Sequence, residues 1–298
     1  MEKLDLQGQP LDLRLSLTCG QAFRWREQAG GVWRGVVRDK LVELAVDSGS
    51  LLWRTFPERD EALVRDYLRL ADDVNGIYAR LSRMDSHVAG LIDRFHGLRL
   101  LRQDPAEALL SFVCSAANSI PRISAAIEAL ARLYGDLVCE HEDSCYFAFP
   151  RIARLADADP VALAETESLE FRGANLRTVA GQISDRGEDW LVSLRGVPYE
   201  EARKELLTIR GVGRKIADCV CLFSLDKDEA VPVDTHVRQL AERLWAPELA
   251  GRSLTDALYR RVVNAFARRY GPLAGWAQQF LFYEDLLRAR AMAQRRAL

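Results

Sequence analysis

Residues 206–237 read LLTIRGVGRKIADCVCLFSLDKDEAVPVDTHV, a stretch that predicts a helix, a glycine hairpin and a second helix in succession. Gly211 and Gly213 flank Val212, so the backbone can bend sharply and bring its amide N–H groups close to a ligand. The second helix presents its amino end at the same place, where anions bind favourably. The turn therefore suits a DNA phosphate, because phosphate contacts need donors and close approach rather than base identity.

Lys215 lies in the first turn of this second helix, on one face with Cys219. A cation opposes the helix dipole there, and together with partial burial this position favours the neutral amine that a nucleophile needs. The alternative is an exposed lysine that binds a phosphate. Ile216, Val220 and Phe223 recur at helical spacing and are expected to face a core.

Asp234 begins a further predicted helix, whose inner face carries the apolar residues Val237, Leu240, Ala241 and Leu244. Aspartate is a preferred helix N-cap. A carboxylate fixed at a helix end can also stabilise a cationic sugar transition state or control the protonation of the lysine. The two roles are compatible.

The combination of GVG, Lys215 and the aspartate of VPVD resembles the helix-hairpin-helix DNA glycosylases with the GPD signature, and most closely the 8-oxoguanine DNA glycosylase/AP lyases. The resemblance extends from about residue 11 to about residue 287. Six stretches in order carry it: CGQAFRW, RLLRQDP, SFVCSAANSIPRI, GVGRKIADCVCL, AVPVDTH and GPLAGWAQQFLF. It implies a base-excision-repair enzyme, a bifunctional N-glycosylase/AP lyase that removes 8-oxoguanine from duplex DNA through a lysine Schiff base.

The resemblance also implies roles for individual residues. Lys215 and Asp234 correspond to the catalytic pair. The base-binding positions of the family correspond to Gly20, whose carbonyl would accept the N7–H of 8-oxoguanine, and to Cys219, Gln278 and Phe282. The DNA-binding positions correspond to Gly211, Val212, Gly213, His236, Arg122, Arg172, Phe171 and Asn118. Read without the family, each has an ordinary structural explanation, such as a turn glycine, a core phenylalanine or a surface arginine.

Three positions depart from the family pattern. Arg210 stands where the family usually has proline, and Phe171 stands where it usually has tyrosine. Ala117 replaces an asparagine that fills the vacated space opposite the lesion; Asn118 is the neighbouring substitute. We therefore predict a weaker preference for cytosine opposite the lesion than in typical relatives.

Composition is that of an ordinary globular protein, with 298 residues, 49% hydrophobic, 28% charged and a net charge of −2. Such a charge argues against a protein that coats DNA, though not against an enzyme with a local basic face. The six cysteines form no disulfide or metal-like pattern, so we predict free thiols and no metal site. No apolar run is long enough to span a bilayer and no signal peptide is evident, so we expect an intracellular protein.

The predicted fold class is α+β. Residues 11–56 read as strands, including LDLRLSL at 11–17, with Cys19-Gly20-Gln21 between the first two, and form an antiparallel sheet. From Pro57 onward the pattern is helical, with EHEDSCYFAFP at 140–150 as a linker and a late helix from Ser253 to Arg269. We divide the chain into residues 1–95, a TATA-binding-protein-like sheet domain with flanking helices, and residues 96–298, a helical glycosylase core with the helix-hairpin-helix at about 200–224.

The expected partner is damaged double-stranded DNA, bound by a monomer in the cytoplasm or nucleoid of a bacterium or in the nucleus of a eukaryote. No cofactor is required, although a structural monovalent cation at the hairpin is compatible with the family. Two other functions fit the sequence. One is a glycosylase of the same superfamily with a different damaged base. The other is a non-catalytic DNA-binding module, in which Lys215 and Asp234 have no chemical role.

Overall fold

The computed structural model describes residues 1–245 and 254–296, with side chains described to residue 292. It has a small antiparallel sheet near the amino terminus and a mainly helical remainder, which confirms the predicted α+β class. Among the described residues, none of the helices combines the length and the apolar character that crossing a membrane would take.

The main sheet has five antiparallel strands in the order β1-β5-β4-β3-β2. Their bounds are Glu2–Asp5 (β1), Arg26–Glu27 (β2), Trp33–Val37 (β3), Lys40–Asp47 (β4) and Ser50–Phe56 (β5). The turns between β3, β4 and β5 fall at Arg38-Asp39 and Ser48-Gly49. One edge of the sheet is the short strand β1, which pairs Leu4 with Leu51.

The helices occupy most of the remaining chain. Before the hairpin they are Leu13–Thr18 (α1), Glu61–Tyr67 (α2), Val74–Met84 (α3), Ser86–Arg94 (α4), Pro105–Val113 (α5), Ile120–Tyr134 (α6), Ile152–Ala156 (α7), Pro160–Glu165 (α8), Arg172–Arg186 (α9) and Glu188–Ser193 (α10). From the hairpin onward they are Tyr199–Leu207 (α11), Arg214–Ser224 (α12), Thr235–Leu244 (α13), Asp256–Tyr270 (α14) and Ala274–Arg296 (α15). The expected late helix is α14; Ser253, its predicted first residue, lies outside the described residues.

The strand prediction for residues 11–17 is wrong, because this segment forms α1. The Asp12 side chain accepts the amide N–H of Leu15 at 2.8 Å and caps the helix. Leu13 and Leu17, four residues apart, are both buried, so the alternating leucines also satisfy a helical period. Cys19-Gly20-Gln21 consequently follows a helix rather than joining two strands.

The linker prediction for residues 140–150 is also wrong. Strands Leu137–His141 (β6) and Ser144–Phe147 (β7) form a separate hairpin. Glu142 and Asp143 make its turn with φ of +47° and +59°. Two consecutive positive-φ residues match the twist of a two-residue hairpin, but glutamate and aspartate are not the residues that normally signal it.

Two apolar cores support the fold. One joins the sheet, α1 and α2, from Leu4 to Leu68, together with Leu101; the other collects the helices from α3 onward and includes Cys19 and Phe23. The helices α3 and α4 therefore pack with the helical core, and the domain division at residue 95 stays a prediction. On α13, Val237, Leu240 and Ala241 are buried as expected, but Leu244, in the last turn, is exposed, while its neighbour Trp245 packs against the core instead.

The predicted helix-hairpin-helix is confirmed as α11, a turn at residues 208–213, and α12. Two amide side chains of α9 hold the turn. Gln182 accepts the N–H of Arg210 at 2.9 Å and donates to its carbonyl at 3.0 Å, and Asn175 donates to the Gly211 carbonyl at 3.2 Å. Gly211 has φ +98°, and a Cβ there would lie 2.0 Å from the Asn175 side-chain oxygen. Only glycine fits that position.

Candidate active site at the hairpin

A cavity of about 1000 Å³ opens beside the hairpin, where the first turns of α12 and α13 meet the loop before α6 and the helix α15. Seven of the residues predicted for the site line it: Gly20, Asn118, Gly213, Lys215, Asp234, His236 and Phe282. The volume is at the upper end for a small-molecule site, which is enough for a nucleoside.

Lys215 faces this cavity from the first turn of α12 and is partly buried. Its Nζ donates to the Ser115 hydroxyl at 2.8 Å and lies 5.0 Å from the centre of the Phe112 ring. Ser115 in turn donates its hydroxyl proton to the Phe112 carbonyl at 2.6 Å, which leaves its oxygen lone pairs for the lysine. The amine is therefore held in one direction.

Cys219 lies one turn after Lys215, as its spacing predicts, and its buried thiol hydrogen-bonds with the lysine. Burial raises the pKa of Cys219 to about 12, an effect that the nearby Lys215 charge opposes. The thiol therefore stays protonated at neutral pH. A neutral thiol gives the site no thiolate that would hold the lysine in its charged form.

Asp234 is the N-cap of α13, and its Oδ1 accepts the amide N–H of Val237 at 2.9 Å. Val233, immediately before it, is fully buried. Asp234 and Lys215 face the same cavity from different elements, yet no direct ion pair joins them in the described part of the chain. A space between an amine and a carboxylate is what a reacting group needs to enter.

Gly20 meets the cavity on the side of Phe282. It has φ +87°, and an added Cβ would lie 3.3 Å from both the Phe282 ring and the Ile120 side chain. The preceding carbonyl, of Cys19, accepts the side-chain amide of Gln279 at 3.0 Å. The glycine backbone thus lies close against the phenylalanine, and a methyl group there would require the Phe282 or Ile120 side chain to shift.

Gln278 lies on α15 one turn before Phe282, as the sequence predicts. Its side chain is 3% exposed, and its Oε1 is buried without a hydrogen-bond partner among the described residues. Buried carbonyl oxygens are normally bonded, so an orphaned one marks a position where a ligand donor would be stabilised. Neither Gln278 nor Cys219 is part of the cavity wall.

His236 is oriented by a residue that the sequence analysis did not single out. Its Nδ1 lies 2.9 Å from Asp285 Oδ2, and the other oxygen of Asp285 accepts Arg243 at 3.1 Å. The ring also meets the edge of Phe282, with ring centres 5.9 Å apart. With Nδ1 held by the carboxylate, Nε2 is left for an external partner.

The loop before α6 and the start of α9 bring together four residues that the resemblance assigns to DNA binding: Asn118, Arg122, Phe171 and Arg172. Arg172 is buried and donates to the Ala116 and Ala117 carbonyls at 2.6 and 2.7 Å. Arg122 is half-exposed and forms an ion pair with Glu170. Phe171 is 68% exposed, a large fraction for an aromatic ring, and the exposed ring is able to stack against a base.

Asn118 lines the cavity but its amide donates to the Cys114 carbonyl at 3.2 Å. Ala117, the residue before it, has φ +47°, a conformation that alanine rarely adopts and asparagine tolerates. Arg122, Arg172, Phe171, Gly211 and Val212 lie outside the cavity wall.

Several residues of the site were missed by the sequence analysis: Phe112, Ser115, Ile120, Tyr259, Gln279 and Asp285. Asp285 lies one helical turn beyond Phe282, so its spacing could have suggested a place in the site. Ser115 lies within SFVCSAANSIPRI, one of the stretches that resemble the family. Ser115 is one hundred residues from Lys215 in the chain, and no local pattern connects them.

One group of side chains has metal-ligand chemistry. Glu43, His141 and Glu142 lie close together where the β6-β7 hairpin meets the main sheet. The Glu43 carboxylate already accepts Arg34 at 2.8 Å and Arg54 at 3.0 Å. Two guanidinium groups oppose a cation there, so the group is an ion-pair network that fastens the hairpin to the sheet.

Comparison with known proteins gives consistent matches. Residues 3–109 match the family model for the 8-oxoguanine DNA glycosylase N-terminal domain. An N-glycosylase/DNA lyase OGG1 of Arabidopsis thaliana is 34% identical over 98% of this chain and 82% of its own length. A probable N-glycosylase/DNA lyase of Methanothermobacter thermautotrophicus is 26% identical over 91% of this chain and 92% of its own.

A solved structure extends the likeness to three dimensions. The 8-oxoguanine glycosylase/lyase of Clostridium acetobutylicum, in complex with double-stranded DNA containing cytosine opposite 8-oxoguanine, superimposes with a TM-score of 0.84. It is 30% identical, and the match covers 94% of this chain and 93% of that one.

Proposed function

The chain belongs to the 8-oxoguanine DNA glycosylase family, and we propose that it excises 8-oxoguanine from duplex DNA and then cleaves the strand as an AP lyase. The observation that carries the proposal is the placement of Lys215 and Asp234 on one cavity at the hairpin. A lysine exposed to bulk solvent and remote from Asp234 would have favoured a DNA-binding module without chemistry.

The reaction begins with extrusion of the damaged nucleotide, since the glycosidic carbon is out of reach within stacked duplex DNA. The unprotonated Lys215 amine forms a bond to C1′ of the deoxyribose as the C1′–N9 bond breaks and the base leaves with the bonding electrons. Asp234 stabilises the positive charge that develops on the sugar. Ring opening and loss of an amine proton give a Schiff base, and β-elimination then expels the 3′ phosphate.

Recognition of the base falls to four residues, of which Gly20 and Phe282 line the cavity while Gln278 and Cys219 lie behind its wall. Phe282 and Gly20 line the cavity side by side, where the phenylalanine ring would stack on the base and the Gly20 carbonyl would accept the N7–H that guanine lacks. The orphaned Oε1 of Gln278 is available for an N–H of the Watson–Crick edge. Cys219 would back the base from the lysine side as a neutral thiol.

The hairpin and His236 are proposed to bind the phosphate backbone of the duplex. Gly211 and Gly213 would present backbone N–H groups to a phosphate, whereas the Val212 N–H already donates to the Ile209 carbonyl at 3.0 Å. As an imidazolium, His236 would add a donor at Nε2. Phe171, Arg122, Arg172 and Asn118 would face the opposite strand. The proposed partner is therefore damaged double-stranded DNA, bound by a monomer inside the cell, in the nucleoid or the nucleus.

The lysine chemistry requires no cofactor. A structural monovalent cation fits the hairpin, because the carbonyls of Arg210 and Gly211 each accept one amide N–H and a carbonyl oxygen keeps a second lone pair. Thermal melting in potassium chloride and in tetramethylammonium chloride of equal ionic strength tests this. Equal melting temperatures in the two salts would show that no potassium ion stabilises the hairpin.

The function is tested by incubation with an 8-oxoguanine duplex, scored separately for base release and strand cleavage. Borohydride should trap a covalent complex with the wild type, since it reduces the Schiff base, and Lys215→Gln should trap none. If Lys215→Gln still forms the covalent complex, Lys215 is not the nucleophile. An undamaged duplex and one with an alkylated base serve as controls for substrate class.

A further inference from the structure

Asp218 lies on α12, three residues after Lys215, and is fully buried. Its Oδ1 accepts the Tyr199 hydroxyl at 2.8 Å and the Arg203 Nε at 2.7 Å. Its Oδ2 accepts the hydroxyl of Tyr259. Burial raises the pKa of Asp218, and Arg203 opposes that effect. Four polar groups from three helices thus meet beneath the lysine.

Tyr259 links this cluster to a second segment. Its oxygen accepts the amide N–H of Val233 at 3.2 Å, while its single proton goes to Asp218; the Val231 carbonyl is more distant, at 3.5 Å. Tyr259 is 4% exposed, and burial raises its pKa well above the usual value, so the phenol stays protonated. It can donate to the aspartate and accept from the amide at the same time.

The two ends of this bridge are the two parts of the proposed chemistry. Asp218 is on the helix that carries Lys215, within one turn of it, and Val233 is bonded in the chain to Asp234. The bridging tyrosine comes from a third element, α14, and edges the same cavity. Lys215 and Asp234 have no direct bond between them in the described residues. The distance between them therefore depends on the contacts that join α12 to the segment before α13.

We propose that Tyr259 is a positioning residue that sets the distance between Lys215 and Asp234 by tying the Val233 amide to Asp218. The inference rests on the proposed function, because it assigns no chemistry of its own to the phenol. Without the hydroxyl, the Val233 N–H is left unpaired in a buried place and the segment before α13 can shift. Misplacement of about 1 Å at a reacting pair lowers rates by up to about a hundredfold.

Tyr199 provides a matched control. It donates to the same Asp218, is 8% exposed and has no bond to the segment that carries Asp234. Tyr199→Phe and Tyr259→Phe each remove one hydroxyl from the cluster. The measurements are the single-turnover rate of 8-oxoguanine release at saturating enzyme, the Kd for the same duplex, and the melting temperature.

We expect Tyr259→Phe to lower the single-turnover rate at least tenfold more than Tyr199→Phe, with Kd for both variants within about threefold of the wild type. Equal rates for the two variants would overturn the positioning role. If the wild type itself releases no 8-oxoguanine, the proposed function is wrong. That result differs from equal rates for two active variants, which would refute only the positioning role of Tyr259.

Amide hydrogen exchange of the unsubstituted protein gives a second measurement that does not require a folded variant. The Val233 amide should be protected to the same degree as the buried amides of α12. Exchange of this amide as fast as that of exposed loop residues would show that the bridge is absent.

Discussion

The side-chain nitrogen of Lys215 donates to the hydroxyl of Ser115 at 2.8 Å, across one hundred residues of chain. The hydroxyl proton is committed to the Phe112 carbonyl, so the serine acts on the lysine as an acceptor. The bond gives the amine a fixed direction before any DNA arrives.

Ser115→Ala should lower the rate of Schiff-base formation on abasic-site DNA about tenfold, because the amine loses the hydrogen bond that fixes its direction and a misplaced nucleophile reacts more slowly. Single-turnover borohydride trapping measures that rate. Ser119→Ala is the control, since Ser119 lines the same cavity but makes no side-chain cap bond. A Ser115→Ala rate equal to that of the control would show that the hydrogen bond from Lys215 to Ser115 does not orient the amine for the reaction.

Asp234→Asn separates the two roles of the helix cap. Asparagine caps helices about as well as aspartate, so the melting temperature should stay within about 2 °C of the wild type. The charge is lost, and base release should fall by a factor of about 100 or more. Wild-type turnover in Asp234→Asn would reduce the residue to a structural cap. The Kd for the lesion duplex, measured in parallel, should change little.

Gly20→Ala should impair excision of 8-oxoguanine more than cleavage at an abasic site. The new methyl group would lie 3.3 Å from the Phe282 ring and would displace the ring on which the base is expected to stack. Gly30→Ala is the matched control, because Gly30 has a comparable φ of +74° but nothing within reach of a Cβ. Both variants carry the same backbone strain, and only one meets the site. Equal losses on the two substrates for Gly20→Ala would contradict the base-binding role.

Ala117→Asn should increase the preference for cytosine opposite the lesion. Ala117 has φ +47°, and asparagine is favoured over alanine in that conformation, so the variant should be at least as stable as the wild type. Rates of excision opposite C, A, G and T, compared between the two proteins, measure the effect. A wild type already restricted to cytosine would refute the predicted relaxation.

Much of the site was predictable because its residues lie in short, continuous motifs. The hairpin glycines, Lys215, Cys219 and Asp234 fall within 24 residues of one another, and Gln278 and Phe282 share one helix face. Spacing alone predicts the helix-face pairs Lys215 with Cys219 and Gln278 with Phe282, whereas the roles of these residues and of Asp234 came from the family resemblance. The α+β class followed in the same way from strands at the start of the chain and helices after Pro57.

What the sequence did not reveal depends on contacts between distant segments. The alternating leucines of residues 11–17 suit a strand and a helix equally, and the Asp12 cap with burial of Leu13 and Leu17 decides for the helix. Ser115, Asp285 and Tyr259 are ordinary residues in ordinary helices or loops. Their importance comes from partners that are remote in the chain, which no spacing rule reports.

The bonds from Gln182 to the backbone of Arg210 affect which residues position 210 can accept. The family usually has proline at this position. Proline has no N–H, so Arg210→Pro would strand the Gln182 oxygen that now accepts the Arg210 amide at 2.9 Å. Changing Arg210 to the family residue would therefore cost this bond, and a second replacement at Gln182 would remove the acceptor that is left without a partner. The two positions are epistatic, and each restricts the mutational paths open to the other.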